Sequence, residues 1–186
     1  MSNSPYKQVD NRDIQDNAPK IVEQAFRWLR LMELKCLPLR DQRDGAWLLI
    51  IAYKDSPDLL VEFTANGRLM VVFSNVLTKI RMDDQASSLD LLLSILKEQG
   101  QYPKVRFNVF EVGDEFILKL MSRYRTSNVH MENFAEIVRE HEEFLNDMKH
   151  TIADLGFTEV WREAEGEPRD EDIKKMTTTT SAHEYF

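Results

Sequence analysis

Residues 59–74 read LLVEFTANGRLMVVFS, two strand-like runs joined at Ala65-Asn66-Gly67-Arg68. Asn-Gly is a residue pair that tolerates the positive φ angles of tight turns matched to strand twist, so the stretch predicts an antiparallel hairpin. Counting outward pairs Phe63 with Met70 and Val61 with Val72 on one face. Thr64 with Leu69, Glu62 with Val71, and Leu60 with Phe73 fall on the other. A second ribbon repeats the design. Residues 104–123, KVRFNVFEVGDEFILKLMSR, turn at Gly113-Asp114, which sets Val109 opposite Leu118 and Phe107 opposite Leu120. The reverse face pairs Phe110 with Ile117 and Asn108 with Lys119.

Working outward, the run from Ala46 to Tyr53 is apolar on both faces and reads as a central strand covered on each side. Ahead of it, Ile21, Val22, Ala25, Phe26, Leu29, Met32 and Cys36 fall at helical spacing. They predict one helix from about Asp16-Asn17, with Pro19 in its first turn and Pro38 ending it. Between the ribbons, Leu89, Leu92, Leu93 and Leu96 mark a helix from Ser87 or Ser88 to Gln99, with Gly100 as its stop. Leu91 and Ile95 lie beside that stripe, so the helix is expected to touch more than one surface. Met131, Phe134, Ile137, Val138, His141, Leu145, Met148, Ile152 and Leu155 predict a long last helix, Asn128 to about Leu155. The order is helix, three strands, helix, two strands, helix: an α+β domain on an antiparallel sheet of about five strands. Residues 1–15 read as a flexible arm and 16–157 as the domain. Residues 158–186 read as an acidic, largely disordered tail with one docked turn around Trp161.

The totals exclude several functions. With 186 residues, a net charge of −8 and 30% charged residues, the chain suits one globular domain with flexible ends, and a general affinity for nucleic acid or anionic lipid is not expected. The single cysteine, Cys36, permits no intramolecular disulfide and reads as a buried thiol. The polar N-terminus has no secretory apolar core, and no run is long enough to span a bilayer. The cytoplasm is therefore the expected compartment.

Candidate chemistry is sparse. His141 stands among Glu140, Glu142 and Glu143 but has no second histidine one turn away, so the helical zinc pair is missing. It lies on the apolar stripe and reads as a packed or interface histidine. The rival reading is a small enzyme or ligand binder with a pocket near His141. His130 and His150 sit at helix ends, His183 in the tail. Asp83-Asp84 precede a helix, where negative charge complements the helix dipole. The isolated glycines make no phosphate loop. Arg106, Lys119, Arg123 and Arg125 form a basic strip with poor aromatic interleaving, a weaker nucleic-acid reading. No metal or other cofactor is expected.

Surplus apolar surface remains. With helices on one side of the sheet only, Leu60, Phe73, Phe110 and Ile117 would stand exposed on the other as a partner or dimer surface; the equal alternative is that one helix or the tail covers that face. The meander Trp47 to Ser74, the Leu-rich helix Leu89 to Leu96, the ribbon Val105 to Leu120 and the closing helix Phe134 to Leu155 together resemble the type III secretion chaperone-like fold shared by secretion chaperones and the YbjN family. The resemblance covers roughly residues 18–157 and rests on pattern, without a catalytic signature. It implies a homodimer that binds other proteins as a chaperone-like or adaptor module. The polar arm and the acidic tail depart from compact secretion chaperones and point to the YbjN-like branch.

Overall fold

A computed structural model describes residues 5–53, 57–81, 85–112 and 115–155. The Gly113-Asp114 turn, Asp83-Asp84 and the tail with Trp161 lie outside them. The described strands are β1 (Tyr6–Gln8), β2 (Cys36–Asp41), β3 (Trp47–Ile51), β4 (Leu59–Phe63), β5 (Leu69–Arg81), β6 (Phe107–Val112) and β7 (Glu115–Arg125). The helices are α1 (Asn11–Asn17), α2 (Lys20–Leu31), α3 (Gln85–Gln99) and α4 (Met131–Asp154). The strands form one antiparallel sheet in the order β1-β2-β3-β4-β5-β7-β6.

Both ribbons keep the expected register, with Phe63 opposite Met70, Leu60 opposite Phe73, Phe107 opposite Leu120 and Phe110 opposite Ile117. Alternation fixes this, because a one-residue slip would move every side chain to the wrong face. The first turn differs in detail. Gly67 alone takes a positive φ, +66°, and its N–H donates to the Thr64 carbonyl at 2.7 Å. The Asn66 Oδ1 accepts from the Arg68 N–H at 3.0 Å and from the Thr64 hydroxyl at 2.9 Å. A type I turn followed by one left-handed glycine results, rather than a two-residue turn with both φ values positive.

The larger difference lies at the N-terminal end. The expected helix is the shorter α2, which starts after Pro19 and stops at Leu31 because Glu33 takes a left-handed φ of 59°, and a further helix, α1, precedes it. Cys36 is therefore in β2, not on a helix, and Pro38 lies inside that strand. The Pro38 carbonyl accepts from the Val9 N–H at 3.2 Å, and β1 pairs with β2. Residues 6–8 and 11–15, assigned to a flexible arm, thus lie in a strand and in a capped helix. The Asp10 side chain accepts from the Arg12 and Asp13 amides, a capping box completed by Asp13.

All four helices bury their apolar stripes on one face of the sheet. Ile14, Val22, Ala25, Leu29, Leu91, Ile95, Phe134, Val138, Phe144, Met148 and Ile152 pack there against Trp47, Leu49, Val61, Phe63, Met70, Val72, Leu118 and Leu120. Every residue of β3 and of β4 is buried, so these strands are covered on both sides, as their continuous hydrophobicity predicts. Trp28 against Phe134, centroids 5.4 Å apart, ties α2 to α4.

Candidate functional site

His141 points from α4 into the helix-covered face and is fully buried. Its Nδ1 lies 2.7 Å from the Ile137 carbonyl, so that nitrogen carries the proton and donates. Its Nε2 lies 2.9 Å from Ser122 Oγ on β7 and accepts the hydroxyl proton, while the same Oγ accepts from the Arg106 N–H at 2.9 Å. Tyr124 meets the ring edge-on at 6.3 Å. Burial drives the imidazole down from its usual 6.5 to about 4, so it is neutral at physiological pH. A serine hydroxyl on an imidazole is the pair a hydrolase uses, but Ser122 is as buried as His141, and no substrate reaches either. This is a satisfied polar node joining α4 to the sheet. The groove nearest α4, about 780 Å³, is lined by Met32, Leu34, His130, Asn133, Arg139 and Glu142 among others and does not include His141. His141 is thus buried in the packing rather than set in that groove.

The neighbouring polar contacts are structural too. Lys104 Nζ bridges Glu136 at 2.6 Å and Glu140 at 3.3 Å, and its carbonyl accepts from the Tyr124 hydroxyl. His130 is the N-cap of α4, its Nδ1 accepting from the Asn133 N–H at 3.4 Å. Cys36 is half-buried and its thiol is pushed up to about 12 by burial, which leaves it protonated and inert. Among the described residues no group of three or more His, Cys, Asp or Glu is placed to hold a metal ion, and no helix is long and apolar enough to cross a membrane. The basic strip is broken: Arg106, Arg123 and Arg125 are exposed, but Lys119 is only 5% exposed.

The second sheet face corrects the expectation most sharply. Leu60 and Phe73 are 2% and 1% exposed, and Phe110 and Ile117 are half-buried. Leu39, Leu48, Ile50, Leu60, Val71, Phe73 and Met121 form a second core there, with Tyr6, Leu37, Leu69 and Phe110 packed against it. The register read from sequence puts these side chains on the face it should. Leu60 and Phe73 are thus not the exposed side chains expected of them, while Phe110 and Ile117 remain partly exposed.

Exposed apolar surface is found on α3 instead. At about 100° per residue, Leu89, Leu93 and Leu96 lie within roughly 60° of one another, while Leu91 and Ile95 point the opposite way. Leu91 and Ile95 are fully buried, whereas Leu89, Leu93 and Leu96 are 57, 55 and 56% exposed. The leucines expected to be the buried stripe are largely the solvent stripe. Two apolar faces on one helix read alike in sequence, and only the packing against α4 and β5 decides between them. Asp90 and Lys97, both exposed, sit together on one flank of the stripe.

The fold therefore defines an α+β protein with one antiparallel sheet whose one face is covered by the four described helices. The chain is similar to a crystal structure of YbjN from E. coli, described there as "a putative transcription regulator", at 13% identity and a TM-score of 0.48, over 71% of this chain and 90% of that one. This is a likeness of fold. No family model matches the chain, and no curated protein matches it.

Proposed function

We propose that the chain is a noncatalytic protein-binding module, adaptor or chaperone-like in kind, that self-associates through α3. The observation carrying this reading is the stripe of Leu89, Leu93 and Leu96, three large apolar side chains held more than half exposed on a packed helix. Such clustered apolar exposure at heptad spacing is the seam of a helix pair. The flank selects the orientation. Two copies of α3 packed antiparallel about Leu93 set Asp90 of one opposite Lys97 of the other, twice over, and a twofold contact is self-complementary in this way. A parallel pair gains no such match.

Sedimentation velocity at increasing concentration tests it. The expected result is a monomer–dimer equilibrium abolished by Leu93→Asp, with the circular dichroism spectrum unchanged. Asp90→Lys alone should weaken association, and Asp90→Lys with Lys97→Asp should restore it. A wild-type chain that stays monomeric at high concentration refutes self-association. Failure of the double swap refutes the antiparallel arrangement.

A further inference from the structure

Lys7 and Arg40 stand directly opposite each other across β1 and β2. Like charges at a cross-strand position repel, so a sheet gains more from an opposite charge there. Among the described residues neither side chain makes a hydrogen bond or an ion pair. The Arg40 guanidinium is instead held over the Trp47 ring, 5.2 Å from its centroid. A guanidinium stacked in this way keeps its N–H donors at the rim, where a second partner can take them.

Both cations line a cavity of about 340 Å³ between the β1 end of the sheet and α1, a volume on the scale of small-molecule sites. Val9 and Trp47 supply its apolar wall. Gly45 lines it too. Its φ of +77° favours glycine, and a Cβ there would stand 3.9 Å from Arg40 Nη2, so the bare backbone leaves the guanidinium approachable. The two carboxylates of the lining are engaged elsewhere. Asp41 is buried and accepts from the Arg43 N–H at 2.7 Å and from its guanidinium at 3.1 Å. Asp13 closes the capping box of α1, accepting from the Asp10 N–H.

We infer that this cavity binds a small organic oxyanion of the phosphate-monoester kind, Arg40 taking two of its oxygens and Lys7 compensating its second charge. Two adjacent cations are matched by a dianion, which a phosphate monoester approaches at neutral pH and a single carboxylate does not. Val9 and Trp47 face the carbon part of such a ligand. A net charge of −8 repels anions at a distance, so the fixed donors of the cavity hold the ligand without help from the overall field. No residue of α3 lines the cavity, so the site is separate from the self-association proposed above.

NMR titration of the isotope-labelled full-length chain tests this, with glycerol phosphate, inorganic phosphate and sodium chloride compared at equal ionic strength. Saturable shifts of the Gly45 amide and the Trp47 indole N–H are expected with glycerol phosphate. Inorganic phosphate should bind more weakly, and chloride should not saturate. Arg40→Gln should abolish the saturable shifts, and Lys7→Gln should weaken binding about tenfold, the loss of one charge-assisted contact. Lys7→Gln leaves the stack on Trp47 in place and carries the test if Arg40→Gln does not fold. Absence of saturable shifts with both phosphates, or unchanged binding in Lys7→Gln, would overturn the site. Equal affinity for the two phosphates would mean that the cavity takes no carbon part and would overturn the organic ligand.

Discussion

Replacing His141 with glutamine should change how stability depends on pH more than it changes stability at neutral pH. In the folded chain the imidazole titrates at about 4; in the unfolded chain it titrates near 6.5. Above 6.5 both states are neutral and the histidine contributes no pH dependence. Below it the unfolded state takes up a proton that the buried ring refuses, so stability is lost as pH falls, down to about pH 4. Between pH 7.5 and 4.5 the linkage amounts to about 2.5 kcal/mol. Glutamine does not titrate and loses none of this. Asp58 and Glu142 have carboxyls raised by burial and act in the opposite sense, stabilising the fold as pH falls. They are common to both proteins and cancel in the difference. Urea unfolding followed by tryptophan fluorescence at several pH values gives that difference directly. Wild type should exceed His141→Gln at pH 7.5, and the gap should shrink by roughly 2–3 kcal/mol by pH 4.5. A gap that stays constant, or a histidine resonance of the folded protein that titrates near 6.5, would refute the buried, neutral assignment.

Gly67→Ala should destabilise by at least about 1 kcal/mol, because Ala at φ +66° is strained and its Cβ would stand 2.7 Å from that of Pro19. A neutral result in chemical denaturation would mean that the turn is not clamped against the start of α2. Phe73→Ala should cost about 3–5 kcal/mol if the second core is as closed as its burial indicates, and an exposed residue would cost far less; the same assay decides. Cys36 should resist a thiol-specific reagent at pH 8 in the folded protein and react at once in urea, since almost none of it is thiolate. Rapid labelling of the native chain would contradict its burial.

What the sequence made legible was register. The alternation in residues 59–74 and 104–123 names the cross-strand pairs, because period two leaves one pairing that keeps each face consistent. It did not reveal β1 and β2. A proline inside a run argues against a strand, and the helical spacing of Met32 and Cys36 ran past the true helix end. That end is set by the left-handed Glu33, which no composition rule marks. One signal was present: Asp10 with Asp13 three residues on is a capping motif at the start of α1. The surface was the hardest part to read. The apolar side chains of the second face could be named from the alternation, but how far each is exposed could not. On α3, two leucine faces differ only by which one meets α4. The hydrogen bond between Ser122 and His141 joins elements 19 residues apart and leaves no local trace.

The strand order has a kinetic consequence. Five of the six pairings join strands that follow one another in the chain, and only β5 with β7 spans an intervening strand and helix. The meander from β2 to β5 and the ribbon of β6 and β7 can each close through short loops at little entropic cost. Joining them requires closing the long connection through α3 in one step, along a pairing that carries two register shifts. Folding speed should therefore be governed by that single seam: destabilising changes along β5 and β7 slow folding, while comparable changes in the meander turns mainly quicken unfolding.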